Sequence, residues 1–255
     1  LSDLAAMLAP DLSTASVLIL IVASFFTSAL TAAFALGGGV TLLGLMTLVL
    51  PVAVLIPLHG VVQFASNAGR LAVQRRAVVW EKAVPFILGG LIGAAIGARM
   101  VVSLPESLLQ TLLGGFILLT VFVRLPSLER LKNWHYALAG AVTTFLSMFV
   151  GASGPLNAVL FSRAFSQREQ VVATMAAVTA SQHALKVIAF LAAGVVLWPY
   201  AGLVAAMIAT GFLGTLAGTA FLKRLPEARF RIGLKLLLTV LAIELLRRGL
   251  LGLIR

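Results

Sequence analysis

Apolar residues gather in long blocks along this chain, without the period-two alternation of exposed strands. In the first half the blocks run over about 14–36, 40–50, 52–73, 84–103 and 107–123; in the second, over about 135–150, 156–165, 170–193, 200–222 and 234–253. Most approach the roughly 20 residues an α-helix needs to span a bilayer, whereas barrel strands would show about 10 residues of alternating polarity. The blocks are punctuated by Gly37-Gly38-Gly39, Pro51, Gln74-Arg75-Arg76, Arg124-Leu125-Pro126 and Gly151-Ala152-Ser153-Gly154-Pro155. The pattern predicts an all-α polytopic membrane protein forming one transmembrane domain over 1–255.

The order of blocks repeats. Gly93-xxx-Gly97 followed by Leu104-Pro105-Glu106 matches Gly214-xxx-Gly218 followed by Leu225-Pro226-Glu227 at a single offset of 121. Gln63 and Gln182, Trp80 and Trp198, and the two glycine clusters fall near the same offset. Repeat one covers about 14–124 and repeat two about 134–253, the internal symmetry common in secondary transporters. The small-residue pairs Gly93/Gly97 and Gly214/Gly218 are expected to let helices pack closely.

Basic residues then set the topology. If every block crosses, Arg70, Arg75, Arg76, Lys82, Arg124, Arg130, Lys132, Arg163, Arg168, Lys223, Arg224, Arg229 and Arg231 fall on one side, and Arg99, Arg247, Arg248 and Arg255 on the other. If the short blocks only dip in and return, the loop 223–231 moves opposite to 74–82. The tendency of Lys and Arg to stay cytoplasmic favours the first arrangement. The reading is five plus five crossing segments in inverted repeats, with both termini outside. The start, which carries Asp3 and Asp11, no basic residue and no initiating Met, is expected to be trimmed or processed.

The blocks at 40–50 and 156–165 are too short for a 30 Å hydrocarbon core, rising only about 16 Å. Each follows a glycine cluster, so a helix broken inside the membrane is expected there. Irregular backbone at that depth must be buried in protein or line a cavity. The helix restarting after each break turns free N–H groups and a positive dipole end toward that cavity, which suits an anion. Gly38, Gly39, Ser153 and Gly154 are the residues so placed.

Polar groups collect in the next block of each half. His59, Gln63, Asn67 and Arg70 follow one another at spacings that share a helical face. Ser181, Gln182, His183 and Lys186 occupy the counterpart. A single buried histidine often serves only as a hydrogen-bond partner between helices; a polar stripe repeated beside two breaks points to a site. Lys186 lies too deep for its ammonium to reach water easily. An anionic ligand, an ion pair with Glu244, or a deprotonated amine would each satisfy it. Arg70 fits either the site or the following basic loop.

Composition narrows the function. Of 255 residues, 61% are hydrophobic and 11% charged, against roughly 25% charged in soluble domains. The net charge of +11 sits in loops between apolar blocks, so it marks membrane topology and not nucleic-acid binding. Without cysteine there is no disulfide or thiolate chemistry. No H-E-x-x-H and no P-loop occurs, so neither a metal site, a cofactor nor an ATP-driven cycle is expected. Gly151-Ala152-Ser153-Gly154 matches the G-x-S-G around the nucleophile of rhomboid intramembrane proteases, with His183 as an imaginable base. The first half has Gly37-Gly38-Gly39 at the equivalent place, with no serine, which suggests that the glycines serve the backbone. The chain is read as a non-enzyme. An anion channel is a further reading, separated from a carrier by turnover.

The glycine cluster, then Leu50-Pro51-Val52-Ala53-Val54, Pro57-Leu58-His59-Gly60-Val61-Val62-Gln63 and Ser66-Asn67-Ala68-Gly69-Arg70, resemble the TauE/SafE sulfite exporter family. So do the basic loop that follows, the glycines of the fourth block and the second-half stretch from Gly151 to Lys186. The resemblance extends over about 14–250. It implies transport of sulfite, organosulfonates or other small organic anions through a multi-pass protein of the bacterial inner membrane, in contact with lipid and with room for a homodimer. Ala152 and Ser153 depart from a plain glycine run. On this reading Gly38, Gly39, His59, Gln63, Asn67, Arg70, Ser153, Gly154, Gln182, His183 and Lys186 contact the anion.

Overall fold

The computed structural model describes residues 7–46, 48–50, 52–99, 131–150, 154–192 and 194–254, and between them 107, 108, 110, 111, 114, 115, 118 and 122. Every regular element among these residues is helical. In chain order they are α1 (Thr14–Phe34), α2 (Gly38–Met46), α3 (Val52–Gln74), α4 (Trp80–Arg99), α5 (Asn133–Val150), α6 (Gly154–Ala164), α7 (Arg168–Ala192), α8 (Ala201–Arg224) and α9 (Glu227–Ile254). The described positions between 107 and 122 are also helical.

Local chemistry sets the ends of these helices. Ser13 caps α1, its hydroxyl accepting from Ser16 N–H at 3.1 Å. α1 stops at Ala35, which turns left-handed at φ 65° while its N–H reaches Thr31 O at 2.8 Å. Gly37 follows at φ 98°, a conformation only glycine adopts without strain. α8 ends at Leu225, held extended before Pro226. α3 and α4 each contain a proline, Pro57 and Pro85, which membrane helices tolerate because neighbours satisfy the freed carbonyl.

Glycines dictate which helices pair. A Cβ at Gly214 would stand 2.0 Å from Phe25 O, and one at Gly218 2.2 Å from Ala29 O, so α8 lies backbone to backbone on α1. Thr210 Oγ1 donates to Ile21 O at 2.9 Å and Ser24 Oγ to Met207 O at 2.6 Å along the same parallel seam. The first half does the same with the opposite partner. A Cβ at Gly89 would stand 1.8 Å from Ala137 O and one at Gly93 2.0 Å from Ala141 O, which fixes α4 parallel to α5. The pair Gly214/Gly218 packs helices as the sequence predicts, whereas in the first half Gly89 takes the backbone contact beside Gly93, and a Cβ at Gly97 would meet the Met148 side chain at 3.0 Å. α3 and α7 cross at the centre, with the His59 and His183 ring centroids 5.9 Å apart. Gly114 and Gly249 bring the helical positions between 107 and 122 against α9. Exchanging the halves maps this set of pairings onto itself.

One end of the bundle collects the basic turns. Val79 N–H donates to Thr174 Oγ1 at 3.0 Å, and Lys82 Nζ donates to Asn133 Oδ1 at 3.0 Å. Arg168 Nε reaches Leu222 O at 3.2 Å, and Glu227 pairs with both Arg168 and Arg231. Arg231 also donates to the carbonyls of Ser162, Phe165 and Ser166. From this basic end α4, α5 and α7 run away, whereas α3 and α8 run toward it, with α1 parallel to α8. Each helix of one half thus runs opposite to its counterpart.

Each short helix turns back along the helix before it. A Cβ at Gly38 would stand 1.8 Å from Thr27 O, which seats the start of α2 on the preceding helix. Leu42 and Met46 then share an apolar cluster with Val17 and Leu20, early in α1. In the second half Phe161 of α6 stacks at 6.2 Å on Tyr136, in the first turn of α5. α1–α2 and α5–α6 are helical hairpins entering from opposite ends. Each short helix thus returns the chain toward the end from which the preceding helix starts.

The outward surface is apolar, with Leu88, Ile92, Leu213, Phe221 and Ile243 among its exposed side chains, while Thr144, Asn157, Thr174 and Thr215 are fully buried. That inversion of the soluble pattern suits lipid outside and hydrogen bonds inside. By length and composition, Thr14–Phe34, Trp80–Gly97, Arg168–Ala192 and Trp198–Arg224 are apolar enough to cross a membrane.

Candidate functional site

The two hairpin tips meet inside the bundle, where a Cβ on Gly154 would lie 3.7 Å from Leu36 Cδ1. Between them is a cavity of about 40 Å³. Its wall comes from both halves: Thr31, Ala35, Leu36, Gly37, Gly39 and Val40 of the first tip, His59, Gln63 and Asn67 of α3, Gly154 of α6, and Thr179 and His183 of α7. The N-termini of α2 and α6 both open here, so two positive dipole ends converge.

Side chains on α3 are held by the first hairpin and by each other. Gly39 O accepts from His59 Nε2 at 2.9 Å, which puts the proton of that imidazole on Nε2. A Cβ on Gly39 would come 3.2 Å from Gln63 Oε1, so glycine there lets the amide approach the backbone. Asn67 Nδ2 donates to Gln63 O at 2.7 Å, and Asn67 Oδ1 accepts from Arg70 Nη2 at 3.2 Å. The second hairpin is fastened differently. Asn157 Nδ2 donates to Gln182 Oε1 at 2.8 Å and to Thr179 Oγ1 at 3.3 Å. Gln182 Nε2 in turn reaches Thr143 and Thr144 Oγ1, each at 3.1 Å.

Of the residues expected at the site, Gly39, His59, Gln63, Asn67, Gly154 and His183 line the cavity. Gly38 lies beside it, turned against Thr27. Gln182 is 2% exposed but is spent on fastening α6 to α5 and α7. Lys186 is 2% exposed, one turn beyond His183 and outside the lining. Its suggested pairing with Glu244 is not made, because Glu244 is held by Arg247 at 2.8 Å and by Arg248 on its own helix. Arg70 is no loop residue: at 1% exposure it lies in the interior. Ser153 lies outside the described residues.

Sequence reasoning passes over Thr31, Thr179, Asn157 and the Thr143-Thr144 pair. A signal exists for most of them. Thr143, Thr144 and Ser147 stand 116 residues after Thr27, Ser28 and Thr31, and Asn157 interrupts a short apolar block.

Chemically the wall offers amide, imidazole and hydroxyl groups with two helix N-termini, and no carboxylate is among its described residues. Such a lining suits an anion. A family model for the sulfite exporter TauE/SafE matches residues 20–245. No curated protein and no solved structure matches the chain.

Proposed function

The chain belongs to the TauE/SafE sulfite exporter family, and on that premise we propose that it exports sulfite, or a small organosulfonate, from bacterial cells by alternating access. The family makes it a membrane transporter of the sulfite type. The observation that carries the finer reading is the cavity between the hairpin tips, lined from both halves by hydrogen-bonding groups without a carboxylate.

Size favours the smaller substrate. A cavity of about 40 Å³ holds roughly three waters at 10–15 Å³ each, which matches a four-atom oxyanion. A longer sulfonate, or another small organic anion, needs the tips to part. The opposed directions of corresponding helices support inverted repeats in the bilayer, with the basic end cytoplasmic. The α1–α2 hairpin with α8 then rocks against the α5–α6 hairpin with α4, uncovering the cavity to either side in turn. An interior-negative potential favours exit of each negative charge by about 2.3 kcal/mol per 100 mV, so export needs no further coupling.

Purified protein in liposomes tests this. Sulfite efflux rises when a potassium diffusion potential makes the lumen negative, and saturates with sulfite concentration. Gln63→Leu and Lys186→Ala are each expected to cut it by about tenfold, the loss of one charge-assisted or desolvated hydrogen bond. Vesicles passing neither sulfite nor methanesulfonate under a potential would refute the transport reading. Full flux through Lys186→Ala would remove that lysine from the mechanism alone.

A further inference from the structure

The polar stripe of α3 continues past the cavity. Gln63, Asn67, Arg70 and Gln74 follow at spacings of four, three and four, on one helical face leading to the basic end. Arg70 is 1% exposed, it donates through Nη2 to Asn67 Oδ1, and its Nε has no partner. No ion pair within 4.0 Å involves it among the described residues.

α8 runs beside this stripe. Gln74 Nε2 donates to Thr219 Oγ1 at 2.8 Å, and one turn above, a Cβ on Gly69 would stand 2.9 Å from Phe212 Cδ2. Between Phe212 and Thr219 lies Thr215, fully buried, whose Oγ1 has no partner; Gln74 Oε1 has none either. The Arg70 Nε–H and the Thr215 hydroxyl are thus buried donors without partners, and Gln74 Oε1 is a buried acceptor without one. A desolvated cation so placed is costly unless a negative charge joins it.

The second half does not repeat this feature. At the offset of 119 that brings Gln63 onto Gln182 and Asn67 onto Lys186, Arg70 becomes Ala189 and Gln74 becomes Ala193.

We propose that Arg70, with the Thr215 hydroxyl, forms a second anion site on the α3–α8 seam, taking the same small oxyanion between the basic end and the central cavity. The Gln74–Thr219 hydrogen bond closes the seam on its outer side. This site rests on the transport reading for its substrate and on the buried guanidinium for its existence.

The absence of cysteine makes the test direct. Thr215→Cys is introduced alone, with Arg70→Lys and with Arg70→Gln, and Thr179→Cys in the cavity serves as reference. Detergent-solubilised protein, checked for monodispersity, is treated with an anionic sulfonatoethyl and a cationic trimethylammonioethyl methanethiosulfonate. T215C is expected to react at least about tenfold faster with the anionic reagent, the enrichment a focused charge produces. Arg70→Lys keeps that preference and Arg70→Gln reduces it to within about twofold. Equal rates with Arg70 present, a preference that survives Arg70→Gln, or an inert T215C beside a reactive T179C would each overturn the site. Sulfite flux with equal reagent rates sinks the second site alone, whereas a charge preference without flux sinks the substrate assignment and the transport reading.

Discussion

Replacing Gly38 by alanine isolates the contact that folds the first hairpin. Gly38 is helical, so the change brings no backbone strain and gains up to about 1 kcal/mol of helix propensity. Against this, the new Cβ would stand 1.8 Å from Thr27 O and 2.2 Å from Thr31 Oγ1. Real Cβ contacts do not fall below 3.0 Å, so backbone must move by at least about 1.2 Å. Thr27 cannot yield cheaply, because α1 is pinned to α8 by Gly214 and Gly218. Overpacking of this kind costs about 1–3 kcal/mol, or more where backbone is involved, which exceeds the propensity gain. A displaced hairpin also carries Gly39 away from His59 and Gln63. Shifts of about 1 Å at a functional site cost on the order of 100-fold. Gly44, in the same helix with nothing within 4 Å of its Cβ position, is the control. Gly44→Ala should leave both stability and flux intact. Thermal unfolding in detergent and sulfite flux in liposomes read the two effects. A Gly38→Ala protein that melts and transports like the parent refutes the hairpin's close approach and the cavity built on it.

Asn157→Ala leaves Gln182 Oε1 without its 2.8 Å donor, and is expected to lower stability by about 1–3 kcal/mol. It should also raise the sulfite KM as the second tip loosens; chemical denaturation and flux kinetics check both. Arg231→Met removes the clamp that ties Ser162, Phe165 and Ser166 to the start of α9. A loss of about 2–3 kcal/mol is expected, with partial recovery in Arg231→Lys, followed by the unfolding midpoint in urea.

The sequence displays the number and place of the helices because burial in lipid demands unbroken apolar blocks. It displays the glycine seams because Gly93, Gly214 and Gly218 stand in a pattern repeated at one offset, and backbone contact tolerates nothing larger. The depth at which each short helix turns back is hidden, because loop charges report sides and not depth. Gly39, His59, Gln63, Asn67, Gly154 and His183 are legible because polar groups inside apolar blocks have few alternatives to a site. Gln182 misleads because an amide that fastens helices looks like one that binds a ligand. Asn157 escapes because its block is short, and only folding back sets it against α7. Arg70 is ambiguous in one dimension, where it stands four residues before Gln74 and the basic turn; in three dimensions it is 1% exposed and bonded to Asn67.

The parallel seam between α1 and α8 has a consequence for biosynthesis. Ser24 meets Met207 at a sequence separation of 183, so the first helix waits for its partner until most of the chain exists. At about 5–20 residues per second, that is a delay on the order of 10–40 s. During it the Ser and Thr hydroxyls of α1 must be shielded by the translocation machinery or by water. The α4–α5 seam joins residues about 50 apart in sequence and can close early. Assembly is therefore expected to begin at the junction of the two repeats and end with the outermost helices, making the first helix the last to find its place.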